Sequence, residues 1–189
     1  PLCDWSSDVC SSDLRRLRAR ACAILTGSGT VRADDPKMTV RDVDIGRQPL
    51  RVIVDSALAT PPTAAILPAL IACHSADPAR RAALEAAGAE VVALPDARGR
   101  VDLAGLLVLL AQRGVNELHV EAGAGLNGAL LEAGLVDEWI AYVAPMAVGD
   151  AARGLFATAP LTALADASRF RLADVRQLGS DLRLTLLPQ

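Results

Sequence analysis

The chain has 189 residues, 52% hydrophobic and 3% aromatic, with a formal net charge of −3. That is enough material for one α/β domain with an aliphatic core, and short for two. The lack of a basic excess excludes a general nucleic-acid binder, and no apolar run reaches the roughly 18 residues that cross a bilayer.

The first stretch, Asp4 to Leu14, has neither a helical nor an alternating period and repeats Ser-Ser-Asp within a few residues. It matches the conceptual translation of a common sequencing-adapter oligonucleotide. Residues 1–14 are therefore expected to be a non-native or disordered leader, with the domain proper at 15–189. Arg15 to Ala21 reads as the end of a short basic helix with Ser12 or Asp13 available as its cap. Cys22 to Thr26 reads as a strand entering a tight Gly27-Ser28-Gly29 turn, and Thr30 to Ala33 as one helical turn stopped near Pro36. Leu50 to Asp55 is the next strand, broken by Thr60-Pro61-Pro62.

From there the pattern alternates. Leu70 to Cys73 is a strand; Asp77 to Ala87 is a helix with Asp77 as N-cap, Pro78 at its first position and Gly88 closing it. Glu90 to Leu94 is a strand, and Asp102 to Gln112 a helix closed by Gly114. Glu117 to Glu121 is a strand, Leu126 to Ala133 a helix ending at Gly134, and Glu138 to Ala144 a strand. Phe170 to Leu178 and Asp181 to Leu187 flank Gly179-Ser180 as a hairpin. The alternation predicts a largely parallel sheet covered by helices, with the hairpin adding antiparallel edge strands.

Four cysteines (Cys3, Cys10, Cys22, Cys73) form no C-x-x-C pair, and His74 and His119 are the only imidazoles. No metal-site spacing exists, and a reduced, cytoplasmic, metal-free protein is expected. The sharpest local signal is Glu121-Ala-Gly123-Ala124-Gly125-Leu126-Asn127-Gly128 between a strand and a helix. Glycines there let backbone N–H groups approach a phosphate at a helix N-terminus. A purely structural glycine turn gives the same pattern, and the acid that a Rossmann unit wants on its next strand is missing. Glu121 ends a parallel strand, where open α/β sheets place ligands, although a solvated loop acid would look the same. In the second cluster, Thr26 to Arg41, Asp34 and Asp35 are either site acids or a helix stop before Pro36. Arg41 has the forked donors suited to phosphate or carboxylate. No G-x-S-x-G elbow and no zinc-deaminase signature occurs.

Taken together, Leu17-Arg-Ala-Arg20, Ala23-Ile-Leu-Thr26, Gly29-Thr-Val-Arg-Ala-Asp-Asp-Pro36, Thr39-Val-Arg41 and Arg51-Val-Ile-Val-Asp-Ser56 resemble the reductase domain of the bacterial bifunctional riboflavin-biosynthesis deaminase–reductases. Val120-Glu-Ala-Gly123, Gly128 to Glu138, Tyr142-Val-Ala-Pro145 and Ala152-Arg-Gly-Leu155 continue the match in order. The resemblance implies an α/β, dihydrofolate-reductase-like three-layer fold with a mostly parallel central sheet and a C-terminal antiparallel hairpin. It implies NADPH-dependent reduction of 5-amino-6-(5-phosphoribosylamino)uracil to its ribitylamino product, with hydride delivered to C1′ of the opened ribose.

By the same resemblance Thr30, Asp34 and Ser56 would contact NADPH, and Gly123, Ala124, Gly125, Leu126, Asn127, Gly128 and Ala129 would cradle its phosphates. Arg18 and Arg41 would hold the substrate phosphate, Met38 would touch the substrate, and Glu121 would bind its sugar or base. Asp34 and Glu121 would lie nearest the chemistry. The family's opening strand, its Ser-Gly-Glu-Ser segment and its Trp-Ile-Thr segment have no counterpart here. An upstream zinc deaminase domain is implied for the full-length protein, a homodimer is compatible, and this piece is expected to fold poorly and to reduce its substrate weakly or not at all. A stand-alone pteridine reductase of the same fold and an inactive nucleotide-binding fragment are the alternatives.

Overall fold

The computed structural model describes residues 8–41, 46–75, 77–147, 149 and 152–189; the start of the stretch read as a leader lies outside them. Helix α1 runs Asp8–Arg20 and strand β1 Ala23–Gly27, and β1 leads straight into helix α2, Ser28–Asp34. Strands β2 (Leu50–Val54) and β3 (Leu70–Cys73) follow, then helix α3 (Pro78–Ala86), strand β4 (Glu90–Ala93) and helix α4 (Leu103–Gln112). Strand β5 is Leu118–Val120, helix α5 Ala124–Glu132, strand β6 Trp139–Val143, and the closing hairpin is β7 (Phe170–Leu178) with β8 (Asp181–Pro188).

Five strands form one parallel sheet in the order β4-β3-β2-β1-β5. Each face is apolar, because alternate side chains of a strand leave opposite sides. Ile24, Ile53 and Ile71 pack with Val31, Met38 and Leu84 on one face. Leu25, Val52 and Leu70 pack with Leu106, Leu110 and Leu130 on the other. Strands buried on both faces are what a parallel sheet between helix layers requires. Asp77 caps α3 as its sequence position predicts, its Oδ1 accepting the Arg80 N–H at 2.9 Å, and Asp102, read as the first residue of the next helix, is the N-cap of α4, its Oδ1 accepting the Gly105 N–H at 2.9 Å. Gly88 and Gly114 turn the chain at φ +89 and +80, angles that glycine alone adopts cheaply.

Two expectations are corrected, and the first helix, which begins at Asp8, runs through residues 14 and 15. Arg18 and Arg20 in its last turn suit the negative end of the helix dipole. Gly27-Ser28-Gly29 is no free turn: Gly27 is the N-cap of α2, and α5 likewise starts two residues before Leu126. The hairpin does not extend the parallel sheet. Together with β6 it forms a separate antiparallel sheet in the order β6-β8-β7, with Trp139 opposite Leu186 and Val143 opposite Leu182. Periodicity marks β6 as a strand but carries no information on its partner, and β8 supplies its hydrogen bonds.

Helix α1 ties the two sheets together. Arg18 and Arg20 pair with Glu121 and Glu117, which flank β5. One turn earlier, Asp13 accepts from the Tyr142 hydroxyl at 2.7 Å and from Arg183 Nη1 at 2.9 Å. Burial alone would raise the Asp13 carboxyl; the Tyr142 and Arg183 bonds outweigh it and hold it below the ordinary carboxylate range. Asp13→Ala leaves the Arg183 guanidinium, 12% exposed, without that partner, at a cost of about 2–3 kcal/mol. Because the folded value is lowered, that contribution is present above the ordinary carboxylate value and fades as pH falls below it. Thermal melts of the two proteins at neutral and acid pH are expected to converge at the acid end.

Candidate functional site

Strands β1 and β5 lie side by side with Leu25 opposite Val120, and the Glu121 N–H donates to the Leu25 carbonyl at 2.9 Å. Their C-terminal ends therefore coincide, and each runs into a helix. Leu118 and Val120 turn towards the α4 side of the sheet, so His119 and Glu121 leave the opposite face. There Arg18, from the last turn of α1, grips Glu121 with both prongs. Nε donates to Oε1 at 2.5 Å and Nη2 to Oε2 at 2.6 Å, with both side chains 17% exposed. Met38 holds a left-handed backbone angle (φ +48) and brings its Sδ to 3.9 Å from Arg18 Nη2. The Thr39 carbonyl lies 3.4 Å from Arg18 Nη1. His119 Nε2 sits 3.1 Å from Glu121 Oε1, without the alignment of a formed hydrogen bond.

Burial alone would raise the Glu121 carboxyl, but the Arg18 bonds and the nearby His119 outweigh it and bring it to about 2. Glu121 is therefore a carboxylate at any physiological pH. It accepts hydrogen bonds and holds a negative charge; it has no proton to give.

The two helix starts beside this cluster are bare. Neither Gly27, the N-cap of α2, nor Gly123, the N-cap of α5, offers a side chain to the first-turn N–H groups. Those groups point outward with the positive end of the dipole, an arrangement suited to anions. Thr30 faces the α5 start, its Oγ1 4.0 Å from where a Cβ on Gly123 would lie. Around Gly125 and Gly29 none of the described residues lies within 4 Å of that position, so the backbone is open to a ligand.

The glycine segment divides in two. Gly123, Ala124, Gly125 and Leu126 present backbone at the helix start. Asn127 and Gly128 serve another purpose: Asn127 Nδ2 donates to the Ala122 and Leu155 carbonyls at 3.0 and 3.3 Å. A Cβ on Gly128 would lie 2.3 Å from the Ala157 carbonyl oxygen. The 155–159 segment is strapped along α5 by these contacts, by Ala157 N–H to Ala124 O at 2.9 Å and by Ala159 N–H to Glu132 Oε1 at 2.7 Å. Ala129 lies beyond the first turn of the helix.

Asp34 and Asp35 part company as well. Asp35 ends α2 in a left-handed conformation (φ +42), donates its N–H to the Val31 carbonyl, and accepts the Ala65 N–H on Oδ1 at 2.8 Å. Asp34 is exposed and sits one turn after Thr30, on the same helix face. Among the described residues no hydrogen bond or ion pair joins it to Glu121. Arg41 is exposed two residues beyond Thr39. Ser56 follows β2, and its carbonyl accepts the His74 N–H at 3.3 Å. Beside it, a cleft of about 400 Å³ opens between Leu58 to Pro62 and α3, lined by Arg80, Ala83 and Leu84; none of the Glu121 cluster lines it.

Two residues the sequence reading passed over belong to this neighbourhood. His119 stands two positions before Glu121, a strand spacing that signals a shared face. Asp55, 1% exposed, accepts the N–H and hydroxyl of Thr60, both at 2.7 Å, and shapes the turn that carries Ser56. Among the described residues there is no metal-binding cluster and no helix long and apolar enough to cross a membrane.

A family model described as the RibD C-terminal domain matches residues 4–184. The riboflavin biosynthesis protein RibD of Escherichia coli is 37% identical over 187 residues, which are 93% of this chain and 51% of that protein. A 2,5-diamino-6-ribosylamino-4(3H)-pyrimidinone 5′-phosphate reductase of Methanothermobacter thermautotrophicus is 42% identical over 180 residues, 90% of this chain and 82% of that one. The structure of Acinetobacter baumannii RibD superposes with a TM-score of 0.83 at 33% identity, covering 97% of this chain and 51% of that one. The Saccharomyces riboflavin biosynthesis reductase Rib7, at 18% identity and a TM-score of 0.71, shares the fold. The chain thus spans about half the length of the RibD proteins it matches.

Proposed function

The chain belongs to the RibD C-terminal domain family, and from that premise we propose that it carries the NADPH-dependent reduction of 5-amino-6-(5-phosphoribosylamino)uracil in riboflavin biosynthesis. The observation that carries the reading is the half-buried Arg18–Glu121 pair with Met38, beside two bare helix starts at the ends of β1 and β5. A sugar phosphate needs cations and an acceptor; a dinucleotide needs uncapped backbone N–H groups with open space before them. Both sets are present.

A nicotinamide cofactor supplies the hydride when bound. Gly123 to Leu126 would hold its phosphates on backbone N–H groups, with Thr30 and Asp34 along α2 and Ser56 further along the strand ends. Arg41 and Arg18 would take the substrate phosphate, the backbone near Met38 would touch the substrate, and Glu121 would accept from the sugar or base. Because Glu121 stays ionised, its contribution is electrostatic: a fixed negative charge favours a cationic imine at C1′ over the neutral closed sugar. The proton consumed in the reduction comes from elsewhere. An upstream deaminase domain in the full-length protein belongs to the same proposal, as do a homodimer and a cytoplasmic setting.

The test is loss of NADPH absorbance with the ribosylamine phosphate as substrate, run beside a dihydropteridine. Oxidation with the first alone supports the reading; oxidation with the second alone makes the chain a pteridine reductase. For the cofactor's far end the cleft beside Ser56 offers one cation, Arg80, whose Nη1 is steadied by the Ala57 carbonyl at 2.9 Å. Arg80→Ala is expected to weaken 2′,5′-ADP by about 10-fold, one charge-assisted hydrogen bond, and to leave 5′-AMP unchanged in calorimetric titration. Equal effects on both would mean that the 2′-phosphate is read elsewhere.

A further inference from the structure

Two groups assigned above to the ligand are occupied with each other: Arg18 Nε and Nη2 are spent on the two oxygens of Glu121. A ligand that uses either must open part of that fork. The two oxygens are not equivalent. Oε1 also lies 3.1 Å from His119 Nε2, whereas the described partner of Oε2 is Arg18. The His119 side chain is 18% exposed, and among the described residues its buried Nε2 has no other polar atom in bonding position. A buried imidazole nitrogen facing only a carboxylate oxygen is satisfied in one way, by carrying the proton and donating it. A small rotation of either side chain aligns that bond.

We propose that His119 is a positioning residue that retains Glu121 through Oε1 when Arg18 turns to an anionic ligand, leaving Oε2 as the oxygen that accepts from the ligand. The inference rests on the assignment of Arg18 and Glu121 to a phosphorylated ribosylamine. A carboxylate released by Arg18 and held by nothing else swings about its last side-chain bonds, and the site must order it again on every binding event. His119 removes that cost because it stands on the same strand face and does not move with the ligand.

The chain has two histidines, His74 and His119, so side-chain nitrogen resonances are assignable by a single substitution at His74. Nε2 of His119 is expected to carry the proton, and to keep it when ribose 5-phosphate is added. His119→Leu is expected to bind ribose 5-phosphate about 10-fold more weakly, the worth of one hydrogen bond to a charged group. His119→Gln, whose amide reaches the same oxygen, restores most of the affinity. Both variants are compared by melting temperature, so that a loss shared by Leu and Gln together with lowered stability marks a packing role and overturns the proposal. Unchanged affinity in His119→Leu, or a proton on Nδ1 alone, also overturns it. If the unsubstituted chain fails to bind ribose 5-phosphate, the phosphate assignment of Arg18 and Arg41 falls instead. The tautomer then decides: an Nε2 proton signal that shifts in Glu121→Gln upholds the His119–Glu121 bond, and one that does not shift overturns it.

Discussion

Glu121→Gln is expected to lower kcat/KM for the ribosylamine phosphate by about 100-fold or more and to remove about 3 kcal/mol of stability. Both effects come from one atom set. The amide cannot accept both Arg18 prongs, so a guanidinium that is 17% exposed loses a bidentate partner. It also removes the negative charge proposed to favour the cationic imine. The stability part has a defined pH signature. The folded-state value of Glu121 is lowered to about 2, so its contribution is complete above the ordinary carboxylate value of about 4.3 and is lost as pH falls towards 2. Melting curves of the two proteins are therefore expected to stay apart from neutral pH to about 5 and to converge below it. A constant gap down to the acid end would assign the loss to packing. A full loss of activity with no loss of stability would mean that Arg18 finds another partner at once.

Gly128→Ala is expected to be the most damaging single methyl group in the chain. Its Cβ would lie 2.3 Å from the Ala157 carbonyl oxygen, 2.7 Å from the carbonyl carbon and 3.0 Å from the nitrogen. These are backbone atoms, so no rotamer change relieves the contact. Either α5 shifts or the strap leaves, and the Ala157–Ala124 and Ala159–Glu132 bonds leave with it. Overpacking of this kind costs about 1–3 kcal/mol, and the lost bonds add to it. Gly125→Ala is the control. Nothing lies within 4 Å of its added carbon, and alanine is the better helix former by about 0.8 kcal/mol. That variant is expected to melt no lower than the parent while binding NADPH more weakly, because the methyl group enters the space proposed for phosphate. Melting curves with NADPH titrations on both variants separate the two kinds of glycine. A Gly125→Ala chain that binds NADPH unchanged would move the phosphates away from α5.

Much of the fold is legible from local pattern. The strands at Leu50 and Leu70, the cap Asp77 and the closing glycines Gly88 and Gly114 stand where the sequence puts them, because each is decided within one turn or one strand. The glycine segment reads as the link between a strand and a helix, although α5 starts two residues earlier than its pattern predicts. What it does not show is that Gly128 answers to Ala157, a residue that reaches it only through the strap.

The candidate site follows the same division. Sequence alone determined the residue types: a carboxylate ending a parallel strand, an arginine on a basic helix, a glycine segment between a strand and a helix. It also determined the family resemblance that gives them roles. Only the tertiary structure decided who meets whom. It paired Arg18 with Glu121 across 103 positions of chain, set His119 beside them, separated Asp34 from Asp35, and gave β6 to the hairpin instead of the parallel sheet. The reason is physical. Caps, turns and strand faces are fixed by bonds between near neighbours. A buried charge is fixed by whichever opposite charge the packing brings within reach, and that is a property of the whole fold.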